Sequence, residues 1–469
     1  MSKFNNPARA LGPSTAPVAS QPAFEPFRSP TLPPPGPPSR PAATSPGAKS
    51  AIVETPILRI GFYSLCAFLL SLYLNDWSFR LVGSKAYLST VCVVLVPAIL
   101  LACGRALAGL QDKAGIWWAS ILLLMVMGVP FSFWRTGSLV EVANYAFRAL
   151  PFFFFVVAFA TNIKRCRNLT MLSVVTSVIV VISCIFFGGY DPQEGRFVLP
   201  NSAFFSNSNE LGLQLLLGVC ALLYLFYSGG MFAKLFAVAM ILVSLTFMLK
   251  TGSRGCLISA FALLLTTIIF SKQRVMLAAA SVPAIVLVFM FAPAASLHRL
   301  ALIFAPSNEI TYNDIGALAS TAQRKQLLRK SVEFTFSHPV LGVGMGQFSV
   351  AYSGDAEKTM GQHGYFLGSH NSYTQVSSEC GIPAFLCYMG ILGTTLSRSL
   401  RIHRRARGRP RLHDIEALSF CLFATAITYS VATFFFHMAY TLVLPLLSGQ
   451  VTALHYVTEP LLREAETRS

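Results

Sequence analysis

Leu211-Gly212-Leu213-Gln214-Leu215-Leu216-Leu217-Gly218-Val219-Cys220-Ala221-Leu222-Leu223-Tyr224-Leu225-Phe226-Tyr227 is an apolar run without a charged side chain. A bilayer core about 30 Å thick needs about 20 helical residues, so this run and its flanks read as one spanning helix. Similar runs recur on both sides of it. Spans are predicted near 57–74, 87–103, 116–134, 149–163, 169–187, 211–227, 232–249, 256–271, 275–293, 373–397, 417–436 and 440–457. The fold class is therefore all-α and polytopic, with about 12 transmembrane helices. Composition agrees. Of 469 residues, 54% are hydrophobic and 12% charged, against about 25% charged in soluble domains. Mean hydropathy is +0.59. So large an apolar excess must face lipid.

The net charge of +17 raises the question of nucleic acid, and its distribution answers it. Basic residues gather in an N-terminal tail and in short connections between spans, as the positive-inside rule requires. Arg105 and Lys113, then Lys164, Arg165 and Arg167, then Lys234, then Lys272 and Arg274 lie in alternate loops. The last such loop carries Arg398, Arg401, Arg404, Arg405, Arg407, Arg409 and Arg411, read as a topology anchor. These loops define the cytoplasmic side, with both termini on it. Residues 1–55, rich in Pro, Ser and Ala, read as a disordered cytoplasmic tail. The membrane domain covers 56–458 and a short C-terminal tail 459–469. The ten Cys include no CxxC pair and sit mostly in apolar runs, which reads as small buried hydrophobes.

The opposite face carries two long connections, Gly188–Glu210 and about 294–372, the latter between spans nine and ten. Long loops tend to be functional. Within the larger one, Leu327, Leu328, Val332 and Phe334 fall at helical spacing against a basic face, predicting an amphipathic helix along the membrane surface. No P-loop, dinucleotide fingerprint or HExxH is present. An enzyme built this way needs a substrate that arrives already activated.

Three outer elements carry candidate chemistry: Arg196 in Gly195-Arg196-Phe197 with Asn207-Ser208-Asn209-Glu210; Thr251-Gly252-Ser253-Arg254-Gly255; and His338–Phe348 with His370-Asn371-Ser372-Tyr373 and Gly381-Ile382-Pro383. Guanidinium forks suit phosphate oxygens, so Arg196 and Arg254, with Arg324, form a candidate diphosphate site. The alternative is that each snorkels to the interface. His370 is a candidate base, its ordinary pKa near 6.5 leaving it neutral at pH 7. His298 and His437 read as interfacial residues, and His338 as a turn residue. Gly342-Val343-Gly344-Met345-Gly346 reads either as a phosphate-wrapping loop or as a tight re-entrant turn. Glu210 and Glu379, near the starts of spans, are candidates to orient His370 or bind an acceptor hydroxyl, or to pair with Arg.

The ordered set resembles the O-antigen ligase and O-antigen polymerase superfamily of bacterial lipid-linked-glycan transferases. His370-Asn371, nine residues, then Gly381-Ile382-Pro383 follows the ligase signature, with Ala384 at a closing position where that signature has Gly, Thr or Tyr. Ser253-Arg254-Gly255, the segment from Arg324 to His338-Pro339, and Leu341-Gly342-Val343-Gly344 follow the superfamily in order and spacing. The resemblance implies a GT-C-like, metal-independent, inverting glycosyltransferase with no cofactor, in the bacterial inner membrane. The donor would be an undecaprenyl-diphosphate glycan and the acceptor lipid A-core, another glycan, or a protein hydroxyl. Arg196 and Arg254 would hold the donor diphosphate, with Arg324 in support. His370 would act on the acceptor hydroxyl on the periplasmic side, with Asn371 and Glu210 as further substrate contacts. The competing reading is a polytopic transporter, which usually shows an internal repeat and mid-membrane broken helices. No clear repeat relates the two halves, and the charged candidates lie at the outer edge. A non-catalytic scaffold would leave the Arg and His set unexplained.

Overall fold

The chain divides into Met1–Ala51 and Ile52–Ser469. The computed structural model describes residues 54–82, 88–191, 195–200, 202, 205, 207–271, 274–290, 315–360 and 367–467. The Pro-rich tail to residue 53 lies outside them, as do 291–314 and 361–366 of the long loop.

Helices α1 (Pro56–Val82), α2 (Leu88–Ala102), α3 (Lys113–Gly128), α4 (Arg135–Arg148), α5 (Pro151–Phe159) and α6 (Ile163–Phe187) lead to a two-stranded hairpin, β1 (Gly189–Tyr190) and β2 (Phe197–Val198). Then follow α7 (Ser208–Ser228), α8 (Met231–Lys250), α9 (Arg254–Phe270), α10 (Arg274–Met290), α11 (Ile315–Ser337), α12 (Phe348–Met360), α13 (Ser372–Ala406), α14 (His413–Ala432) and α15 (Val443–Thr467). Polar caps start them: Asp112 Oδ1 accepts from Ala114 N at 2.8 Å ahead of α3, and Asn162 Oδ1 from Arg165 N at 2.9 Å ahead of α6. α13 packs on α3, α11, α14 and α15; α7 packs on α6, α8, α9 and α14.

Among the described residues eight helices are long and apolar enough to cross a bilayer: Pro56–Leu74, Lys113–Phe131, Arg135–Phe159, Ile163–Phe187, Ser208–Ser228, Met231–Lys250, Ser372–Ala406 and Pro410–Ala432. Val91–Ala102, Arg254–Phe270 and Arg274–Met290 are shorter apolar helices. Their outward faces carry large apolar side chains, Phe232 at 90% exposure among them, which only lipid would cover. The protein is thus a multi-pass, all-α membrane protein.

Three expectations change in detail. The segment expected at 149–163 is the second half of Arg135–Phe159, whose path breaks just before Pro151, where the ring removes a backbone donor. The segment expected at 440–457 is helical but falls outside the spanning set. Ser448, Gly449 and Thr452 interrupt it, and all three are buried against protein, where polar side chains find partners; Trp118 Nε1 donates to Ser448 Oγ at 3.0 Å. Residues 459–467 continue this helix, and Arg405 holds Glu459 and Glu466, each at 2.7 Å.

The expected helix in the long loop is present as α11, with a different buried face. Leu327, Ser331, Phe334 and Thr335 are buried, Leu328 is half-buried, and Val332 is 40% exposed. That face docks on α13, where the Thr335 and Ser377 hydroxyls share a 2.7 Å hydrogen bond. Contact with a neighbouring helix, which local periodicity does not encode, chose the stripe.

Arg398 is not a loop anchor. It lies inside α13, 13% exposed, and its guanidinium donates to both Asp112 carboxylate oxygens at 2.7 and 2.8 Å. Tyr456 OH donates to Asp112 Oδ2 at 2.9 Å. One pair therefore locks α13, α15 and the start of α3 together at the end of the bundle opposite His370. Arg165 is likewise drawn inward, to Glu54 at 2.7 Å and the Phe159 carbonyl at 2.8 Å.

Candidate active site

Arg196 precedes β2 and is 8% exposed. The hairpin pairs Gly189 with Val198 and Tyr190 with Phe197. Its turn is closed by Asp191 N donating to Arg196 O at 2.9 Å and Gly195 N to Asp191 O at 2.8 Å. The Phe197 ring packs on Tyr190 and Phe247, seating the hairpin on the apolar ends of α6 to α8. From there Arg196 Nε donates to Thr251 O at 2.9 Å and Nη2 to Asn209 Oδ1 at 2.6 Å. One guanidinium thus joins the hairpin, the start of α7 and the end of α8. Asn207 explains the polar run before α7: its Oδ1 accepts from Asn209 N and Glu210 N at 3.0 and 3.1 Å. Glu210 then lies in the first turn, where the helix dipole favours an anion.

Thr251-Gly252-Ser253 reverses the chain. Gly252 adopts φ +60°, a left-handed conformation that glycine takes without steric cost, and its N–H returns to Leu249 O at 2.9 Å. Ser253 caps α9, and Arg254 is that helix's first residue. Gly255 lies against Phe435 and Phe436; a Cβ there would stand 2.7 Å from that of Phe435. Cys256 Sγ reaches Asn209 O at 3.7 Å. The Arg254 turn is therefore wedged between α7 and the connection following α14.

That same connection meets His370. Ser372 N donates to Thr433 O at 2.8 Å, its hydroxyl donates to Phe436 O at 2.7 Å, and Met438 N donates back to it at 2.8 Å. His370 has φ +52°, the one positive value on a non-glycine among the described residues. Its ring lies 5.0 Å from that of His437, nearly perpendicular at 78°. Burial, then His437, then Arg324 push His370 down to about 4. His437, though its own surface is exposed, is depressed too by the packed groups around it, with Glu210 opposing and Arg324 reinforcing. Both imidazoles are consequently neutral at pH 7, within the electrostatic reach of α7 and α11.

The expected residues thus fall at one end of the bundle. Contacts run from Arg196 through Asn209 and Thr251 to the Arg254 turn, through Phe435 and Phe436 to Ser372, and so to His370. Arg324 is felt by both rings and Glu210 by His437. Asn371 is placed differently from its neighbour: it is 4% exposed, and its Oδ1 caps α13 by accepting from Tyr373 N and Thr374 N at 2.9 and 3.1 Å.

The glycine run resolves as a structural turn. α13 breaks at Gly381, φ +85°, which frees carbonyls that the turn's amides take up. Val343 N donates to Ser378 O and Gly344 N to Glu379 O, each at 2.9 Å, and Ile382 N donates to Pro339 O at 2.8 Å. The Glu379 carboxylate accepts from Gly346 N at 3.0 Å and Phe348 N at 3.3 Å. A Cβ on Gly342 would lie 2.3 Å from the Glu379 carbonyl carbon. Of the two readings the glycine run left open, the turn holds: amides that a phosphate cradle would need are spent on α13, and Glu379 is the clamp that holds them. His338 is part of the same turn, its carbonyl accepting from Gly342 N at 3.0 Å.

Sequence reasoning missed the role of His437, set aside as an interfacial residue. It lies 67 positions beyond His370, and only the folding of the 433–442 connection onto α13 brings the rings together. Among the described residues no three His, Cys, Asp or Glu side chains converge as metal ligands would.

No curated protein matches this chain. Residues 238–389, from within α8 through the break in α13, carry Arg254, Arg324 and His370 and match the family model described as O-antigen ligase, a match over that segment that supports the O-antigen ligase superfamily.

Proposed function

We propose that the protein is a membrane glycosyltransferase that moves a glycan from undecaprenyl diphosphate to an acceptor hydroxyl, attaching O-antigen to lipid A-core. The observation that carries this is the gathering of Arg196 and Arg254 with the half-buried, neutral His370 at one end of the bundle. With the Lys- and Arg-rich loops cytoplasmic, that end faces the periplasm of the inner membrane. Arg196 and Arg254, supported by Arg324, hold the donor diphosphate. His370 takes the proton of the acceptor hydroxyl as its oxygen bonds to the anomeric carbon from the face opposite the diphosphate. The bond between that carbon and the diphosphate oxygen breaks, the electron pair leaves with undecaprenyl diphosphate, and the configuration inverts. Negative charge grows on the leaving oxygens during this step, where preorganised guanidinium groups help most. Glu210 favours the protonated form of His437, the ring that stands against His370. No cofactor is required in this scheme, because the diphosphate ester already carries the driving energy.

A depressed His370 is a weak base before substrate binds, and the incoming diphosphate corrects this. Its negative charge offsets Arg324 and returns the imidazole toward the neutral range where proton transfer is most effective.

Extension of a polymer by repeat units is the second reading. It is favoured by Ala384, fully buried where the ligase signature has Gly, Thr or Tyr. The experiment is deletion of the gene and complementation with wild type, His370→Ala or Arg254→Ala, followed by profiling of lipopolysaccharide and lipid-linked polymer. Loss of all long chains with lipid-linked polymer accumulating supports ligation. Retention of single repeats supports polymerisation. Normal glycans with both variants would exclude a glycosyltransferase.

A further inference from the structure

We infer that His437 is a positioning residue for His370, holding that imidazole edge-to-face in the orientation that meets the acceptor hydroxyl; this rests on the glycosyl-transfer reading. The geometry is over-determined. The residues on either side of His437 are both tied to one hydroxyl, since Phe436 O accepts from Ser372 Oγ at 2.7 Å and Met438 N donates to it at 2.8 Å. Ser372 N is itself bound to Thr433 O at 2.8 Å, and Ala439 N donates to Gln375 Oε1 at 3.4 Å. His437 is therefore pinned to the first turn of α13, two residues from His370. Gly368 lies against the His437 ring; a Cβ there would come within 3.3 Å of it.

His370 needs such a partner. Its φ of +52° is disfavoured for a side chain with a Cβ and persists only where surroundings enforce it. Asn371 fixes the backbone that follows by capping α13, and His437 faces the ring itself at 5.0 Å. The charged groups around the pair act in opposite senses. Arg324, on α11, disfavours protonation of both rings, whereas Glu210, on α7, favours it at His437. When the proton of the acceptor hydroxyl moves to His370, His437 keeps that ring in place; it lowers rather than raises the ring's proton affinity, so its contribution is orientation. No second proton transfer is needed for balance. The proton resides on His370 until the product leaves.

The test uses the full chain in lipid nanodiscs with an undecaprenyl-diphosphate-linked saccharide as donor. It compares wild type, His370→Ala, His437→Ala and His437→Phe, with thermal unfolding measured on each. The expected result for His437→Ala is a kcat lower by roughly tenfold or more, KM within about twofold of wild type, and an acid limb of kcat/KM moved to higher pH. The limb moves up because loss of the ring admits water to His370 and removes a like-charged neighbour. His437→Phe keeps an aromatic face and recovers part of kcat. A His437→Ala protein with wild-type kcat and acid limb overturns the inference. So does one whose kcat falls only with its folded fraction while the limb stays in place. If wild type and His370→Ala transfer equally, or wild type transfers nothing, the glycosyl-transfer reading itself fails, and the two failures are distinguishable.

Discussion

The proton affinity of His370 is the most quantitative handle on this site. Half-buried beside His437 and within reach of Arg324, it is depressed from 6.5 to about 4. A base works only when unprotonated. With a value near 4, the imidazole is almost wholly neutral at both pH 6 and pH 7.5, and kcat/KM should be flat between them. An ordinary histidine would be about one quarter neutral at pH 6, and the rate would fall roughly fourfold. The assay is the initial rate of transfer from undecaprenyl-diphosphate-linked saccharide across about pH 5 to 8, at sub-saturating and saturating donor. The sub-saturating rate reports the free enzyme and the saturating rate the substrate complex. Bound diphosphate brings negative charge beside Arg324, so the acid limb of kcat should lie at higher pH than that of kcat/KM. Stability follows the same sign. The folded state disfavours the protonated ring, so the contribution is present above pH 6.5 and is lost as pH falls through 4, amounting to about 3 kcal/mol. A fourfold fall in kcat/KM between pH 7.5 and 6, with the limb abolished in His370→Gln, would refute burial as the controlling influence. A limb that persists in His370→Gln would remove His370 as the base.

Three further outcomes are expected. Arg196→Lys should lower kcat/KM at least about tenfold in the same assay, because an ammonium cannot reproduce a fork that reaches Thr251 O and Asn209 Oδ1 at once. Arg398→Leu leaves Asp112 buried and unpaired, which costs about 3–5 kcal/mol and should show as a lowered thermal midpoint in detergent; the Asp112→Leu/Arg398→Leu double variant should lose less than the sum of the singles. Asn371→Ala should destabilise by about 1 kcal/mol through loss of the α13 cap, whereas Asn371→Asp keeps the accepting oxygen and should melt near wild type.

The candidate site was partly legible. Arg196, Arg254, Arg324 and His370 carry chemistry in their side-chain types, and the hydrophobic pattern placed them near span ends. Asn371 was expected as a substrate contact because it neighbours His370, yet its oxygen caps α13, a local rule that the Asn-x-x spacing also permits. The glycine run left two readings open because backbone amides look alike whether they face a phosphate or a helix break. The break at Gly381, 35 residues beyond Gly346, decided between them. Arg398 was grouped with a basic loop because charge counting is blind to a partner at Asp112, 286 residues away.

What the chain alone determined is that it crosses a membrane many times as helices, because length and apolarity of a run set whether it can span lipid and satisfy its own backbone. Only the tertiary structure decided which face of α11 is buried, that the 342–346 glycines plug a broken helix, and that His437 stands against His370. Those outcomes depend on contacts between residues far apart in sequence, whose distances are set by how helices pack and which no local pattern of side chains records.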